Sequence, residues 1–171
     1  MKIAFSDVTA AGISLPIEND GWFPRKEIVL AAPVECSVVV NRIDDQSVRI
    51  SGEMRYVTER ICDRCCRNFE QKITLDFHYD CTVRKDEAML SQETECKKAM
   101  AEKLFLEGPV VDMDVILREQ ALLGLPLKSI CSRSCNGLCP GCGADLEKLT
   151  CYCNEKKKPS PFSVLKDLKG R

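Results

Sequence analysis

The sequence is poor in the residues from which hydrolytic and phosphate-binding active sites are usually built. It has a single histidine, His78, so any Ser-His-Asp or Cys-His arrangement would depend on that one side chain. His78 falls among the polar residues of an alternating segment, which indicates a solvated strand residue. The chain has neither a glycine-rich phosphate loop nor a pair of carboxylates that can be nominated as a site. We therefore expect no enzymatic activity.

Long apolar runs are also missing. No stretch approaches the ~20 apolar residues that a membrane-spanning helix needs. The N-terminal segment 1–20 lacks the apolar core of a signal peptide and meets an acid at Asp7. Hydrophobic residues at 44% and charged residues at 30% describe an ordinary soluble domain. The sequence thus predicts a cytoplasmic protein without a membrane partner.

An excess of charge of either sign is absent, since the 171-residue chain has a formal net charge of −1. The whole chain is therefore not an obvious nucleic-acid binder. The charge is uneven, however. Residues 80–120 contain ten acids and six bases, whereas residues 154–171 contain six bases and two acids. A basic tail of this kind allows a phosphate-rich partner.

What the chain has in abundance is cysteine, twelve in all. Eight form four close pairs: Cys62/Cys65, Cys131/Cys135, Cys139/Cys142 and Cys151/Cys153. The other four stand apart: Cys36, Cys66, Cys81 and Cys96. Cysteines so close in sequence make awkward disulfide partners but good chelators, and secretion is not indicated. Four such pairs can supply two tetrahedral, all-cysteine zinc sites.

The pairs can be divided between two sites. Cys139-Pro-Gly-Cys142-Gly143 has the form of a zinc knuckle, so we assign one site to Cys139, Cys142, Cys151 and Cys153. The second site then takes Cys62, Cys65, Cys131 and Cys135. Two alternatives stay open. Either Cys135 replaces Cys151 and leaves Cys131 free, or Cys62 and Cys65 are metal-free thiols. The chain therefore carries one or two four-cysteine zinc sites.

We expect these zinc sites to be structural rather than catalytic. Four cysteines fill the coordination shell of zinc and leave no position for an activated water. Redox use of a Cys-x-x-Cys pair normally needs a helix N-terminus to stabilise the first thiolate. Cys62 instead follows one strand pattern and precedes another.

Period-two alternation of apolar residues predicts antiparallel strands in the first half of the chain. The three patterns cover about residues 34–40, 48–56 and 69–83. Cys62-Asp-Arg-Cys65 lies between the last two, at the tip of a long hairpin. Asp112 is placed to cap a helix from about Met113 to Gly124, and Pro126 ends it. Short helices are also predicted near Glu95–Leu104 and after Ser160.

Together the patterns predict an α+β protein. Its N-terminal part is an antiparallel β-sheet or a barrel-like sheet with a few helices, followed by a C-terminal cysteine-rich zinc-binding segment. We divide the chain into a β-rich core with its following helices, 1–126, and the cysteine-rich segment with a short terminal helix, 127–171. We expect the two parts to pack as one unit.

Basic side chains surround the predicted hairpin tip and follow the last cysteine. A metal-stiffened loop that carries several arginines is a plausible contact for phosphate. We nominate as the surface for RNA or another partner Arg55, Arg60, Arg64, Arg67, Lys72, Lys156, Lys157 and Lys158.

Four segments of the sequence resemble the YceD family, the large ribosomal RNA subunit accumulation proteins. They are Cys62-Asp-Arg-Cys65 followed by Phe69, Leu125-Pro-Leu-Lys128, the run Cys131–Leu146 with Cys151-Tyr-Cys153, and Pro161–Leu168. The resemblance spans about residues 30–169. It implies a small non-enzymatic protein of bacteria and plastids, needed for normal accumulation or processing of large-subunit ribosomal RNA. It brings neither a catalytic residue nor a metal assignment with it.

The function expected from this resemblance is that of a ribosome-biogenesis factor. Its partner would be large-subunit ribosomal RNA or a ribosomal or assembly protein, with no small-molecule substrate. The near-neutral net charge argues against direct RNA binding, because phosphate contacts need clustered cations. Two other functions stay open. One is a cytosolic zinc or thiol redox switch, and the other is a zinc-stabilised adaptor without an RNA role.

Overall fold

The computed structural model describes residues 1–83 and 103–153. Within them the chain forms seven β-strands, one 3-10 turn at Phe5–Asp7 and one α-helix. In chain order the elements are β1 (Lys2–Ala4), β2 (Ile13–Pro16), β3 (Glu35–Asp44), β4 (Ser47–Ile61), β5 (Asn68–Val83), β6 (Lys103–Leu106), β7 (Val110–Asp112) and α1 (Met113–Leu123).

The described residues divide into two compact units. The first unit contains Met1–Arg60 and Glu70–Leu127, and the second contains Ile61–Phe69 together with residues 128–153. The tip of the β4–β5 hairpin therefore belongs to the same unit as the cysteine-rich segment. The division of the sequence at residue 126, and the packing of its two parts as one unit, stay predictions.

The first unit is built on a five-stranded sheet with the order β2-β3-β4-β5-β6. Strand β3 is antiparallel to β2 and β4. The Ser47 and Thr82 hydroxyls meet at 3.3 Å, and Arg49 pairs with Asp80 at 2.7 Å, so β4 and β5 also run in opposite directions. Strand β6 joins the far edge parallel to β5. Strands β1 and β7 form a separate antiparallel pair.

The core lies against one face of this sheet, as alternation in the sequence predicts. The buried side chains of β4 alternate with exposed ones, and so do those of β5. They include Val48, Ile50, Met54 and Tyr56 on β4, and Ile73, Phe77 and Cys81 on β5. The three predicted strands are confirmed as β3, β4 and β5, and the Cys62–Cys65 loop is confirmed at the tip of the hairpin.

The predicted α+β class with a barrel-like sheet needs correction. The structure is mostly sheet, with the single helix α1 among residues 1–83 and 103–153, and the sheet is open rather than closed. Its two edges, β2 and β6, are four-residue strands that do not pair with each other. The helix predicted near Glu95–Leu104 falls mostly outside the described residues, and its last two positions belong to β6. The predicted terminal helix lies outside the described residues entirely.

Helix α1 confirms the helix that the sequence predicts. The Asp112 carboxylate caps it by accepting a hydrogen bond from the Asp114 N–H at 3.2 Å. Its buried face includes Ile116, Leu117 and Ala121. The Tyr56 hydroxyl donates at 2.6 Å to the carbonyl of Ala121, in the last turn where helix carbonyls need outside partners. No helix in the described ranges is long and apolar enough to cross a bilayer.

A substitution at Gly52 tests the packing of this sheet. A Cβ at this position would overlap the ring of buried Phe77, which would have to shift. We expect Gly52→Ala to lower the free energy of unfolding by about 1–3 kcal/mol. Gly108→Ala is the control, because nothing lies within 4 Å of its Cβ position. Urea unfolding of both variants measures the difference, and equal free energies of unfolding would contradict the packing of the Phe77 ring against Gly52.

Candidate metal centres

A tight loop joins β4 to β5 and carries the first cysteine pair. The Cys62 N–H donates to the carbonyl of Arg67 at 2.9 Å, and the Cys66 N–H donates to the carbonyl of Cys62 at 2.9 Å. Cys66 adopts a positive φ of 56°, which a non-glycine residue rarely does outside turns. The turn thus places the sulfurs of Cys62 and Cys65 in one buried cluster.

The two residues between these cysteines fasten the loop to the segment that carries the second pair. Asp63 and Ser129 exchange two hydrogen bonds, N–H to carbonyl at 2.8 Å and N–H to carboxylate at 2.6 Å. The Arg64 guanidinium donates to the carbonyl of Cys135 at 2.9 Å, and the Arg64 carbonyl accepts from the Leu138 N–H at 2.9 Å. These four bonds lie within the second unit and fix its two chain segments in register.

The first cluster consists of Cys62, Cys65, Cys131 and Cys135, whose sulfurs all lie within 4.8 Å of one another. The Cys62–Cys135 and Cys65–Cys131 Sγ distances are 3.9 and 3.7 Å. A tetrahedral metal with bonds of about 2.3 Å to sulfur requires sulfurs about 3.8 Å apart, whereas a disulfide requires about 2.0 Å. The cysteines are free thiols at the separation a metal ion needs.

The second cluster consists of Cys139, Cys142, Cys151 and Cys153, again with all sulfurs within 4.8 Å of one another. Cys151 Sγ lies 3.4 Å from the sulfurs of both Cys139 and Cys142. The knuckle turn is closed by a 2.8 Å bond from the Gly143 N–H to the Cys139 carbonyl. Gly143 has a φ of +74°, the left-handed conformation that favours glycine. This cluster could hold a second metal ion.

Hydrogen bonds from the backbone favour thiolates in both clusters. Burial opposes ionisation of Cys62, yet backbone N–H groups directed at its sulfur lower its pKa to about 6, and that of Cys131 donates at 3.4 Å. The N–H groups of the knuckle likewise lower the pKa of Cys139 to about 6. Burial raises the pKa of Cys135 to about 12. Ionisation of all four sulfurs therefore needs a positive charge among them, which a metal ion provides.

Arg67 contacts both cluster regions. Its Nε donates to Cys65 Sγ at 3.3 Å, and the same guanidinium forms an ion pair with Glu147, in the loop between Cys142 and Cys151. Hydrogen bonds to these two anionic partners raise the pKa of Arg67 and lower that of Cys65. Arg67 therefore ties one sulfur of the first cluster to the loop of the second. No local sequence pattern indicates this pair, because its members are 80 residues apart.

The structure brings the eight paired cysteines together in the two sets of four that their spacing favours. Cys135 lies with Cys62 and not with Cys139, so the alternative grouping is not the one observed. Cys36 and Cys81 lie in the first unit, where burial raises the pKa of each to about 11. Cys66 is exposed, and Cys96 lies outside the described residues.

The nominated basic residues are divided between the two units and the residues outside the described ranges. Arg64 and Arg67 direct their guanidinium groups at cluster residues. Arg55 pairs with Glu53 in the first unit. Arg60 and Lys72 also belong to the first unit, and residues 156–158 lie outside the described ranges. The surface nomination stays a prediction, with part of its charge used inside the second unit.

Comparisons with known proteins bear on both clusters. The family model described as "Large ribosomal RNA subunit accumulation protein YceD" matches residues 50–169, which include all eight cluster cysteines. The chain is also similar to a curated protein of Arabidopsis thaliana, "Large ribosomal RNA subunit accumulation protein YCED homolog 1, chloroplastic". The two sequences are 26% identical, and the aligned region covers 80% of this chain and 49% of the length of the Arabidopsis protein. The chain thus spans about half the length of that relative. No solved structure matches.

The cluster geometry predicts a metal stoichiometry of two. We expect protein purified without oxygen to carry two metal ions per chain, and Cys62→Ser and Cys142→Ser each to carry one, because each removes one ligand from a different set. Cys66→Ser, an exposed cysteine outside both sets, should keep two. Elemental analysis against protein concentration gives the count. One metal ion in the unaltered protein would contradict the two-site arrangement.

The contacts of Arg67 predict a role in metal retention. Removal of a group that hydrogen-bonds a metal ligand typically costs roughly 10- to 100-fold in metal affinity. We expect the metal affinity of Arg67→Ala to be lower by roughly 10- to 100-fold, as measured by competition with a chelator. Arg42→Ala removes an exposed ion pair with Asp45 in the first unit and should behave like the unaltered protein. Equal retention by both variants would show that Arg67 is dispensable to the clusters.

Proposed function

The chain belongs to the YceD family of large ribosomal RNA subunit accumulation proteins, and from this membership we propose that it is a ribosome-biogenesis factor. It supports the accumulation of large-subunit ribosomal RNA by binding RNA, without catalysis. The observation that carries the proposal is the extent of the family match, which covers the hairpin loop and both cysteine clusters. Both clusters therefore lie in the part of the chain that the family model covers.

We further propose that both clusters hold zinc in a structural role. An all-thiolate tetrahedral set suits zinc, and four sulfurs leave no open position for a substrate or a reactive water. The sulfur separations of 3.4–3.9 Å are consistent with such sites. Reduced thiols in this number suit the cytoplasm, where we place the protein.

The distribution of charge supports an RNA partner. The sequence segments 61–69 and 128–171 hold eleven of the 25 Lys and Arg residues but only five of the 26 Asp and Glu residues. The remainder of the chain holds fourteen bases and twenty-one acids. The net charge of −1 therefore combines a basic cysteine-rich part with an acidic remainder. Polyanionic RNA would be attracted to the former and repelled by the latter.

The surplus of positive charge is modest once metal is included. Two zinc ions held by eight thiolates would add a formal charge of −4 to segments that carry a surplus of six bases over acids. Few phosphate contacts are then available. RNA affinity should fall only gently with salt, compared with strongly basic proteins. Contacts to bases must supply part of the binding free energy.

Crosslinking in cells tests this function. Ultraviolet crosslinking followed by sequencing of attached RNA should enrich large-subunit ribosomal RNA over small-subunit RNA, and depletion of the protein should lower the ratio of large to small subunits. Cys142→Ser serves as a matched variant with a disrupted second cluster and should crosslink less. Unchanged subunit profiles on depletion, with no ribosomal RNA enriched, would reject the proposal in favour of the adaptor or redox-switch function.

A further inference from the structure

The second cluster also presents an aromatic side chain to solvent. Tyr152 lies between Cys151 and Cys153, and 68% of its surface is exposed. The Cys153 N–H donates to Cys151 Sγ at 3.4 Å, and both sulfurs belong to the cluster. The backbone on either side of Tyr152 is therefore held by the cluster. An exposed tyrosine on a fixed backbone is a preorganised contact, because only its two side-chain torsions remain free.

Most aromatic side chains of the described residues are buried, unlike that of Tyr152. Trp22, Phe23 and Tyr56 are 8%, 4% and 2% exposed and pack in the core of the first unit. Among the large hydrophobic residues that are exposed in the described ranges, the aromatic ones are Phe105 and Tyr152. Phe105 lies on β6 in the first unit. Packing in the core therefore accounts for the buried aromatic side chains but not for Tyr152.

Tyr152 belongs to the unit whose sequence segments, 61–69 and 128–171, carry a surplus of bases over acids. Lys148 precedes it in the same loop, where its Nζ lies 3.9 Å from the Asp145 carboxylate and 68% of its side chain stays exposed. The sequence after Cys153 continues through Glu155 into Lys156, Lys157 and Lys158. Phe105, by contrast, belongs to the unit whose sequence segments carry the surplus of acids. Of the two exposed aromatics, Tyr152 is therefore the one suited to a polyanion.

We propose that Tyr152 is a stacking platform for an unpaired base of single-stranded RNA, with the exposed Lys148 exchanging its Asp145 partner for an adjacent phosphate. The inference rests on the proposed function and adds the residue and the RNA form that it uses. A ring that is open to solvent can stack on any base, since every base has a π-face. Bases of a duplex are already stacked and paired, so the contact selects single strands, loops or bulges. Stacking also supplies affinity that does not depend on net charge.

Binding measurements on the full-length, zinc-loaded protein test the inference. Fluorescence anisotropy with a labelled single-stranded RNA of mixed sequence should show Tyr152→Ala weakened roughly 5- to 100-fold, the range for loss of one stacked base. Tyr152→Phe keeps the ring and should keep the affinity. Phe105→Ala removes the other exposed aromatic and should change nothing. A duplex of the same sequence should bind more weakly than the single strand and lose little in Tyr152→Ala.

A second variant gives a readout that does not depend on affinity. In Tyr152→Trp the new indole should be quenched when single-stranded RNA is added, while Trp22 is buried and should contribute a constant signal. Absence of quenching, or an unchanged affinity in Tyr152→Ala, overturns the stacking role. If crosslinking in cells still enriches ribosomal RNA, the proposed function survives that result. If the unaltered protein binds no RNA in either assay, both proposals fail.

Discussion

The arrangement on which the second unit depends is the gathering of eight cysteine sulfurs into two groups of four. The buried cluster of this unit contains Cys62, Cys65 and Cys135, with Phe69, Ile130 and Cys131 packed against it. The first unit has twenty buried apolar residues in its core. Burial of so few apolar groups cannot offset the conformational entropy of ordering the chain. In the account proposed here, metal–thiolate bonds are the interaction that offsets this cost, as they do in small metal-stabilised folds.

The residues around the cysteines divide between holding the clusters and meeting solvent. Asp63 accepts a hydrogen bond from Ser129, Arg64 donates to Cys135, and Arg67 pairs with Glu147. These contacts position the loops that carry the sulfurs. Tyr152 and Lys148 remain exposed on the loop of the second cluster. In the account proposed here, the buried contacts fix the geometry and the exposed side chains meet RNA. The surplus of acids in the sequence segments of the first unit would repel RNA.

The sequence predicts those features that depend on local spacing. Alternation over long strands identified β3, β4 and β5, a capping aspartate identified α1, and the spacing of cysteines grouped the same eight residues that the structure brings together. Strands of three or four residues, such as β1, β6 and β7, are too short to show a period, so the sequence does not predict the open mixed sheet. The Arg67–Glu147 pair depends on tertiary contacts, which no local pattern reports. The exposure of Tyr152 cannot be predicted either, because the residues next to it in sequence do not determine which side chains surround it in the fold.

The most direct test of the central claim is amide hydrogen exchange of the full chain with zinc bound and after its removal by a chelator. If metal holds the second unit together, segments 61–69 and 128–153 lose protection when zinc is removed, while β3 and α1 in the first unit keep theirs. Protection of the second unit that is the same with and without metal would contradict the account.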